Sequence, residues 1–416
     1  MLLSDLPTPQ VLIDRVRALR NIERVQQLAS SAGLRLRPHA KTHKSPIVAA
    51  WQIDRGAVGI CCAKIGEAEV FVGAGIDDIR LPYPVSPSNA PRLIALMDRA
   101  SISIIVDHLE VARGWSEAMR RAGRVLDVLI KVDVGFHRCG IDPEGDALGF
   151  IKAVSVMPGL RLRGLLSHAG HGYHAASEED LAGVAEREAA ILTGLRERAA
   201  GSGITLEEIS VGATPTLRFS ARQKGLTELR PGNYVYFDRT QVALGAATLD
   251  DCALTVLATV VSKPARDRII LDCGSKTLTS DQARGITKAA GYGAVLAGDT
   301  GNGDWAREID EALTVERLSE EHATVRVAGG TRLEPGDRVR VLPNHSCVVS
   351  HSALPACCAL TARGESLASH RDRRGAGVPN AAAALGAPPR WQGATTENRG
   401  PRRAWFARWG GNTGSI

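Results

Sequence analysis

The chain has 416 residues, of which 44% are hydrophobic and 23% charged, and its formal net charge is +6. This composition is that of an ordinary globular protein, and the length allows two domains or one large barrel with an addition. The charge does not indicate a nucleic-acid surface, because residues 351–416 contain nine Arg, no Lys and three Asp or Glu, whereas residues 1–350 balance 42 basic against 42 acidic residues.

The first residues, MLLSDLPTPQ, lack the basic and long apolar segments of a signal peptide. No apolar run reaches the length of a membrane-spanning helix. We therefore expect a cytoplasmic protein with no membrane or nucleic-acid partner. The eight cysteines form no C-x-x-C pair and are expected to be free thiols.

Eight short apolar runs are predicted to be strands, namely 34–38, 58–62, 79–81, 102–106, 127–132, 161–165, 208–211 and 228–230. Segments with apolar residues at helical spacing lie between them, among them 45–55, 65–73, 109–122 and 179–201. Runs such as VLDVLIKV are apolar on both faces, as buried parallel strands are. This alternation favours a (β/α)8 TIM barrel over residues 15–244, with a doubly wound open sheet as the alternative.

The pattern changes after about residue 245. The runs ALTVLATVVSKP, DRIILDCG and DRVRVLPNHSCVVS are typical of strands separated by Gly, Pro and charged turns, without helices. We therefore expect an all-β domain over residues 245–350, completed by the strand PQVLID within residues 1–14.

Residues 351–416 have a third character. Ala, Gly, Pro and Arg make up 37 of these 66 residues, so the segment has no sheet pattern and little helical periodicity. This composition predicts an atypical, disordered tail. The β pattern stops directly after PNHSCVVS, as it would if the reading frame changed there; a genuine disordered extension is the alternative.

Polar groups follow several of the predicted barrel strands, at the end of the barrel where catalytic residues lie. Lys41 follows the first strand in RPHAKTHK, Arg138 follows the fifth in DVGFHRCG, and the turn SHAGHGYH follows the sixth. The loops VGATPT and RPGNYVYFD follow the last two strands and offer backbone N–H groups and hydroxyls to a phosphate. Together these features predict bound pyridoxal 5′-phosphate, although Lys41 taken alone also suits a solvated surface lysine.

A second candidate centre is the pair His345 and Cys347 in PNHSCVV. On a strand, residues i and i+2 share a face, so the imidazole and the thiolate would converge on one ion. This pair suits Zn²⁺, with Mn²⁺ or Mg²⁺ as alternatives. A strand histidine beside a buried thiol, without metal, is the other interpretation.

The segments RPHAKTHK, ICCAKIGEAEV, VDVGFHRCG, VGATPT, RPGNYVYFD and PNHSCVV together resemble the D-threonine aldolase and D-serine dehydratase family. These are fold-type III pyridoxal-phosphate enzymes with an alanine racemase-like barrel, and the resemblance covers residues 5–350. It implies that Lys41 is the Schiff-base lysine, that Arg138 and His168 lie near the cofactor, and that His345 and Cys347 bind a metal beside it. The implied phosphate and ring contacts are Gly212, Thr214, Gly232, Asn233 and Tyr234.

The same resemblance implies a homodimeric lyase that acts on D-3-hydroxy amino acids. The H-x-C pair and VGATPT favour β-elimination of the D-serine dehydratase kind over the alternative, a retro-aldol cleavage of the D-threonine aldolase kind that releases glycine and an aldehyde. An amino-acid racemase and a non-catalytic pyridoxal-phosphate-binding protein are further alternatives, and the second domain argues against the latter.

Overall fold

The computed structural model of the protein describes residues 5–287, 289–297, 308–352 and 358–360. These residues form two sheets of eight strands each, which belong to one compact unit. None of the described helices combines the length and the apolar composition that crossing a membrane requires.

One sheet is the predicted (β/α)8 barrel, which confirms the fold class. In chain order, β1 (Gln10–Asp14) belongs to the other sheet, and the barrel strands are β2 (Arg35–Leu36), β3 (Ile60–Cys61), β4 (Asp78–Pro84), β5 (Ser101–Val106), β6 (Leu126–Lys131), β7 (Leu160–Leu166), β8 (Glu208–Val211) and β9 (Glu228–Leu229). Their order is β2-β9-β8-β7-β6-β5-β4-β3, and all neighbours are parallel. Backbone hydrogen bonds from Val58 to Leu36 and from Cys61 to Pro38 join the two end strands and close the ring.

Helices alternate with the barrel strands as the periodicity predicts. They are α1 (Arg15–Ser31), α2 (Pro46–Ile53), α3 (Ile65–Gly73), α4 (Ala90–Met97), α5 (Leu109–Ala122), α6 (Ala147–Ser155), α7 (Glu178–Ala200), α8 (Leu217–Ser220) and α9 (Arg239–Ala243). Local signals fix their ends. Ser177 caps α7 by accepting a hydrogen bond from the backbone of Asp180, and Gly123 ends α5 in the left-handed conformation.

Charged side chains fill part of the barrel interior. The carboxylate of Glu228 on β9 accepts hydrogen bonds from Arg37 Nε at 2.9 Å and from Arg80 Nη1 at 2.5 Å. Arg80 on β4 also donates to Glu208 on β8 at 2.8 Å. Since β4 is adjacent to neither β8 nor β9, these side chains meet across the interior. All four are at least 95% buried, and each charge is paired, as burial of charge demands.

The other sheet is antiparallel apart from one pair, and it forms the predicted all-β domain. Its strands are β1, β10 (Leu254–Ala265), β11 (Arg268–Leu271), β12 (Ala294–Leu296), β13 (Ile309–Leu318), β14 (Ala323–Val327), β15 (Arg338–Leu342) and β16 (Cys358–Leu360). Their order is β11-β14-β13-β12-β15-β10-β1-β16, and β10 also pairs with β11, so that the sheet curls on itself. The domain also contains two short helices, α10 (Ser275–Leu278) and α11 (Ser346–Ser352), which the sequence pattern did not indicate.

The prediction that His345 and Cys347 lie on one strand is wrong. Strand β15 ends at Leu342, because Pro343 has no N–H to continue the hydrogen-bonded ladder. Helix α11 begins at Ser346, whose backbone N–H donates to the buried carboxylate of Asp238 at 3.0 Å. The pair therefore lies at the beginning of a helix, and contact between its members depends on that turn.

The predicted tail begins within the described residues. His351 belongs to α11, and Cys358–Leu360 pair in parallel with β1, with Leu12 opposite Cys358. These residues therefore differ from the patternless segment that the composition indicates. The remainder of the predicted disordered tail, residues 353–357 and 361–416, lies outside the described residues.

Candidate active site

A cavity of about 190 Å³, here called the barrel cavity, lies where the C-terminal ends of the barrel strands meet helix α11. Among the residues that the structure describes, its lining has five Lys or Arg side chains and no Asp or Glu. The basic residues are Lys41, Lys131, Arg138, Arg230 and Arg284, and the lining histidines are His39, His168, His174 and His345. A cavity with this charge attracts an anionic ligand.

Lys41 lies in a short 3-10 turn, Ala40–Thr42, directly after β2. The imidazole of His39 fixes this turn by accepting a hydrogen bond from the backbone N–H of Lys41 at 3.2 Å. The Lys41 Nζ atom is 3.1 Å from the hydroxyl of Tyr83, the second-last residue of β4. Tyr83 was not among the predicted site residues, although its place near a strand end was a usable signal.

Arg138 is held in a tight loop between β6 and α6. One carboxylate oxygen of Asp133 accepts the backbone N–H groups of Gly135, Phe136 and His137, each at 3.0 Å. The loop returns so closely that a Cβ on Gly140, whose φ is +125°, would lie 2.5 Å from the backbone nitrogen of Asp133.

This loop places the guanidinium of Arg138 over two aromatic rings that also line the barrel cavity. It is 5.2 Å from the ring centroid of Tyr83 and 4.9 Å from that of Phe136. Both distances are those of cation–π contacts. The predicted residues Lys41 and Arg138, which are far apart in the sequence, are therefore brought to the same tyrosine.

His168 is present in the cavity as a neutral imidazole. Burial and the positive charges of Lys131 and Lys41 hold its pKa well below the usual value for histidine. Its Nδ1 atom is 2.5 Å from the carbonyl oxygen of Gly212 and so carries the ring proton. Gly212 does not line the cavity, and its described contribution is to orient His168.

Two buried donors in the cavity lack a partner within the described protein. They are the hydroxyl of Thr214 and the Nε2 atom of His39, whose Nδ1 atom already accepts from Lys41. Buried polar groups are nearly always satisfied, so each indicates a ligand or water. A phosphate oxygen accepts hydrogen bonds from both kinds of donor, and the barrel cavity therefore fits a phosphate-bearing anion such as pyridoxal 5′-phosphate.

The loop RPGNYVYFD contributes to the cavity unevenly. Gly232 and Asn233 line it, whereas Tyr234 is fully buried elsewhere, and its hydroxyl accepts a hydrogen bond from Gln52 at 3.0 Å. Gly232 is required by packing, because a Cβ there would lie 2.9 Å from the hydroxyl of Thr42. The side chain of Tyr234 thus supports the core behind the loop.

Asn233 joins the barrel to helix α11. Its Nδ2 atom lies 2.5 Å from the carboxylate of Asp238, 3.2 Å from the hydroxyl of Ser346 and 3.5 Å from the sulfur of Cys347. On the other side, Thr42 Oγ1 is 3.2 Å from the same sulfur. We call this set of contacts the seam; it consists of Thr42, Asn233 and Asp238 on the barrel and Ser346, Cys347 and Ser350 on α11. The Ser350 hydroxyl completes it by donating to the carbonyl of Thr42.

The side chains of His345 and Cys347 are hydrogen-bonded to each other. Burial alone would lower the pKa of His345, but the Cys347 thiolate outweighs it and, with Asp238 and Asp281, raises the pKa to about 10. Burial would raise the pKa of Cys347, whereas His345 lowers it below the ordinary thiol value. Each side chain thus favours the charged form of the other, and a metal ion that binds both would have to displace the proton they share.

Asp281 orients His345, since its carboxylate is 2.6 Å from the Nδ1 atom of that ring. A carboxylate on Nδ1 leaves Nε2 as the metal-binding nitrogen, as in carboxylate–histidine–metal arrangements. No described group of three or more His, Cys, Asp or Glu side chains is arranged to hold an ion. A metal here would therefore have two protein ligands and open positions for water or substrate, which suits Zn²⁺ in a catalytic site.

Several residues of the site were not found from the sequence, among them Tyr83, Lys131, Asp281 and Arg284. Lys131 ends β6, so the strand-end rule was a usable signal for it as it was for Tyr83. Asp281 and Arg284 lie in a loop of the β domain that has no periodic pattern, and no sequence signal marked them. Burial, followed by the positive charge of Arg230, lowers the pKa of Lys131 to about 7.

Comparisons with known protein families assign both domains of this architecture. The N-terminal domain of alanine racemase matches residues 13–240, and the putative serine dehydratase domain matches residues 253–354. The barrel and the site geometry thus define a two-domain enzyme of the alanine racemase-like class.

Similarity to individual proteins identifies the family within this class. The D-threo-3-hydroxyaspartate dehydratase of Delftia sp. (strain HT23) is 35% identical, over 87% of this chain and 96% of that protein. The D-threonine aldolase of Arthrobacter sp. is 35% identical, over 82% and 86%, and the D-serine dehydratase of Dictyostelium discoideum is 26% identical, over 84% and 92%. The chain belongs to the D-threonine aldolase and D-serine dehydratase family of fold-type III pyridoxal-phosphate enzymes, as its motifs indicated.

The solved structure of the Delftia dehydratase matches with a TM-score of 0.81 and 34% identity, and the alignment covers 88% of this chain and 97% of that one. Two variants of the same dehydratase have also been solved. One carries a histidine-to-alanine substitution. The other carries a cysteine-to-alanine substitution two positions further on and is in a metal-free form.

Proposed function

We propose that this protein is a pyridoxal-phosphate- and metal-dependent lyase that acts on D-3-hydroxy amino acids by β-elimination of the D-serine dehydratase kind. The observation that carries the proposal is that Lys41 and the His345–Cys347 pair line the same cavity. An amine and a candidate metal pair in one cavity suit a substrate with reacting groups at both Cα and Cβ. A racemase would have no use for the metal pair.

The residues that would hold the cofactor follow from the cavity. Lys41 would attach it covalently, Thr214 and His39 would donate to its phosphate, and Arg138 would lie at its ring, with His168 beside it. When bound, pyridoxal 5′-phosphate supplies the electron sink that makes the Cα proton of an amino acid removable. Lys41 is the base that would accept this proton, and the hydroxyl of Tyr83 positions its amine.

His345 and Cys347 would hold the metal, and Zn²⁺ suits their nitrogen and sulfur donors. A metal at this pair supplies a Lewis acid for the β-hydroxyl, which makes that group a better leaving group. Asp281 orients His345, while Thr42 and Asn233 hold the sulfur. Support comes from the Delftia dehydratase, whose substituted histidine and cysteine have the spacing of His345 and Cys347, and whose cysteine variant is metal-free.

Retro-aldol cleavage is the second candidate, because the Arthrobacter D-threonine aldolase is as similar to this chain as the Delftia dehydratase is. In that reaction a base removes the proton of the β-hydroxyl and the Cα–Cβ bond breaks. The expected homodimer is part of the same proposal, and light scattering on the purified protein tests it.

Incubation of the holoenzyme with D-serine and D-threonine separates the candidates. Elimination gives ammonia with a 2-oxo acid, retro-aldol cleavage gives glycine and an aldehyde, and racemisation gives the L-isomer. Formation of none of these products would contradict the proposed lyase.

Borohydride reduction and peptide mapping test the lysine. The reduced cofactor should be found on Lys41, and Lys41→Ala should abolish turnover. The matched control Lys64→Ala removes an exposed lysine outside the cavity and should keep wild-type activity. An adduct on Lys44 or Lys64 would overturn the assignment.

A further inference from the structure

The turn that carries Lys41 depends on contacts from outside it. It is a single 3-10 turn, Ala40–Thr42, and such turns have poorer hydrogen-bond geometry than an α-helix. The chain leaves it through Lys44, whose φ of +47° lies in the left-handed region that a residue with a Cβ rarely adopts. A backbone conformation of this kind persists only where the surrounding structure imposes it.

Helix α11 supplies several of these outside contacts. The hydroxyl of Ser350 donates to the carbonyl of Thr42, the residue directly after Lys41. The hydroxyl of Thr42 lies 3.2 Å from the sulfur of Cys347. The ring of His351 interacts with the backbone of Lys41 itself. One short helix thus holds two adjacent residues of the turn.

The hydroxyl of Ser350 is shared between the turn and the metal pair, His345 and Cys347. Besides donating to Thr42, it lies 3.1 Å from the backbone carbonyl of Cys347. Thr42 is fully buried and Ser350 is 2% exposed, so a carbonyl that lost this donor would gain no water in its place. Ser350 therefore links the backbone of the metal pair to the backbone of the Lys41 turn.

A metal at this pair would act on the same contacts. In the metal-free protein, either the Thr42 hydroxyl or the Cys347 thiol can be the donor between them. A sulfur that binds a metal is a thiolate and only accepts, so the Thr42 hydroxyl must then donate to it. The metal would also hold the first turn of α11, from which Ser350 reaches the carbonyl of Thr42.

We propose that Ser350 is a positioning residue for Lys41, and that through it the occupied metal pair and the cofactor-bearing lysine stabilise each other. The inference rests on the proposed function, since it requires that both ligands bind. Two ligands that favour the same arrangement of a shared element raise the affinity for each other by an equal factor. Zn²⁺ should therefore tighten the binding of pyridoxal 5′-phosphate, and the cofactor should tighten the binding of Zn²⁺ by that factor.

Two titrations of the full-length protein measure this factor. Isothermal titration calorimetry gives the dissociation constant of Zn²⁺ without the cofactor and with it attached, after free cofactor has been removed. The absorbance of the attached cofactor gives its own dissociation constant with and without Zn²⁺. We expect both affinities of the wild type to rise by one common factor, of roughly 5- to 150-fold. Cofactor at saturating concentration stays bound without metal, so the metal-free protein keeps its colour.

Ser350→Ala separates positioning from the direct attraction between the metal and the cofactor phosphate. It should lower the common factor roughly fivefold, the effect of one hydrogen bond, and leave what charge alone provides. A merely structural loss would weaken both ligands and leave the factor unchanged. Ser350→Thr keeps the hydroxyl and should retain most of the factor. Val348→Ala is the matched control, because that side chain is 39% exposed on the same helix, and it should behave as the wild type.

His351→Ala is the second variant, and it decides the question where circular dichroism shows that Ser350→Ala does not fold. It should lower the factor in the same direction, because it removes a contact with Lys41 itself. A factor of one in the wild type would overturn the coupling. A factor that stays at the wild-type value in the folded variant would remove α11 from the positioning of Lys41, even if both affinities fell. Failure of either ligand to bind the wild type would instead contradict the proposed function.

Discussion

Replacement of Glu228 by glutamine should destabilise the protein strongly, because it removes one charge from a buried network. Burial alone would raise the pKa of Glu228, but Arg80 and Arg37 outweigh it and lower the pKa from 4.5 to about 2. A shift of that size corresponds to roughly 3 kcal/mol of stability at pH 7. Breaking a buried ion pair typically costs about 3–5 kcal/mol, since the partner charge is left uncompensated. We therefore expect Glu228→Gln to lower the free energy of unfolding by roughly 3–5 kcal/mol.

The assay is urea unfolding followed by far-UV circular dichroism, with the cofactor at the same saturating concentration for each protein so that ligand linkage cancels. Glu69→Gln is the matched control. Glu69 also makes two close hydrogen bonds to one arginine, Arg92, but on the surface, where ion pairs contribute little. We expect no measurable change in that variant.

The contribution of Glu228 to the free energy of unfolding changes with pH in a defined direction. The folded protein binds the Glu228 proton more weakly than the unfolded chain does, so its contribution is complete above about pH 4.5 and is lost as the pH falls toward 2. The difference between wild type and Glu228→Gln should therefore shrink on acidification. A loss below about 1 kcal/mol at pH 7, or a difference that grows in acid, would refute the account of the barrel interior.

Four further predictions concern the site. Arg138→Lys should weaken cofactor binding roughly 10- to 100-fold in an absorbance titration without changing the products, and wild-type affinity would place Arg138 outside the site. In the cofactor-free protein, the pKa of Lys131 is lowered to about 7, below its value in the unfolded chain. A buried charge therefore opposes folding at pH 6 and is absent above pH 10. Lys131→Met should be more stable than the wild type in urea at pH 6, and an equal gain in stability at pH 10 would contradict this reasoning. Treatment with EDTA, or the substitution Cys347→Ala, should abolish elimination while the cofactor absorbance remains. Zn²⁺ should restore elimination in the EDTA-treated wild type but not in Cys347→Ala. Thr42→Val should lower the affinity for Co²⁺, measured from the thiolate-to-metal charge-transfer band; full activity of the metal-free enzyme would refute the role of the metal.

The barrel was predictable because its signals are local and repeated. Runs that are apolar on both faces, alternating with helical spacing, have few interpretations other than parallel strands covered by helices. Strand-end residues such as Lys41 and Arg138 could be proposed from the same register, because every parallel strand ends on one side of the barrel. The roles of these two residues stay predictions until the experiments above are done.

The environment of His345 and Cys347 could not be predicted, because it depends on contacts between residues far apart in the sequence. Pro343 ends the strand that the alternating pattern favoured, and Asp238, more than a hundred residues earlier, accepts the first N–H of the helix that replaces it. Asp281 and Arg284 come from a loop without a pattern. The side chain of Tyr234, a motif residue expected at the ligand, is packed in the core, and its contact with the cofactor stays a prediction.

The seam has a consequence for how such enzymes can be recombined. A graft that exchanged the whole β domain with that of a relative would import a new helix α11 with its cysteine but keep the barrel partners of that helix, Thr42, Asn233 and Asp238, from the original chain. The exchangeable unit is therefore not a domain in the usual sense. It is the β domain together with three barrel residues scattered over two loops, and chimaeras that move them together should retain metal affinity where simple domain swaps lose it.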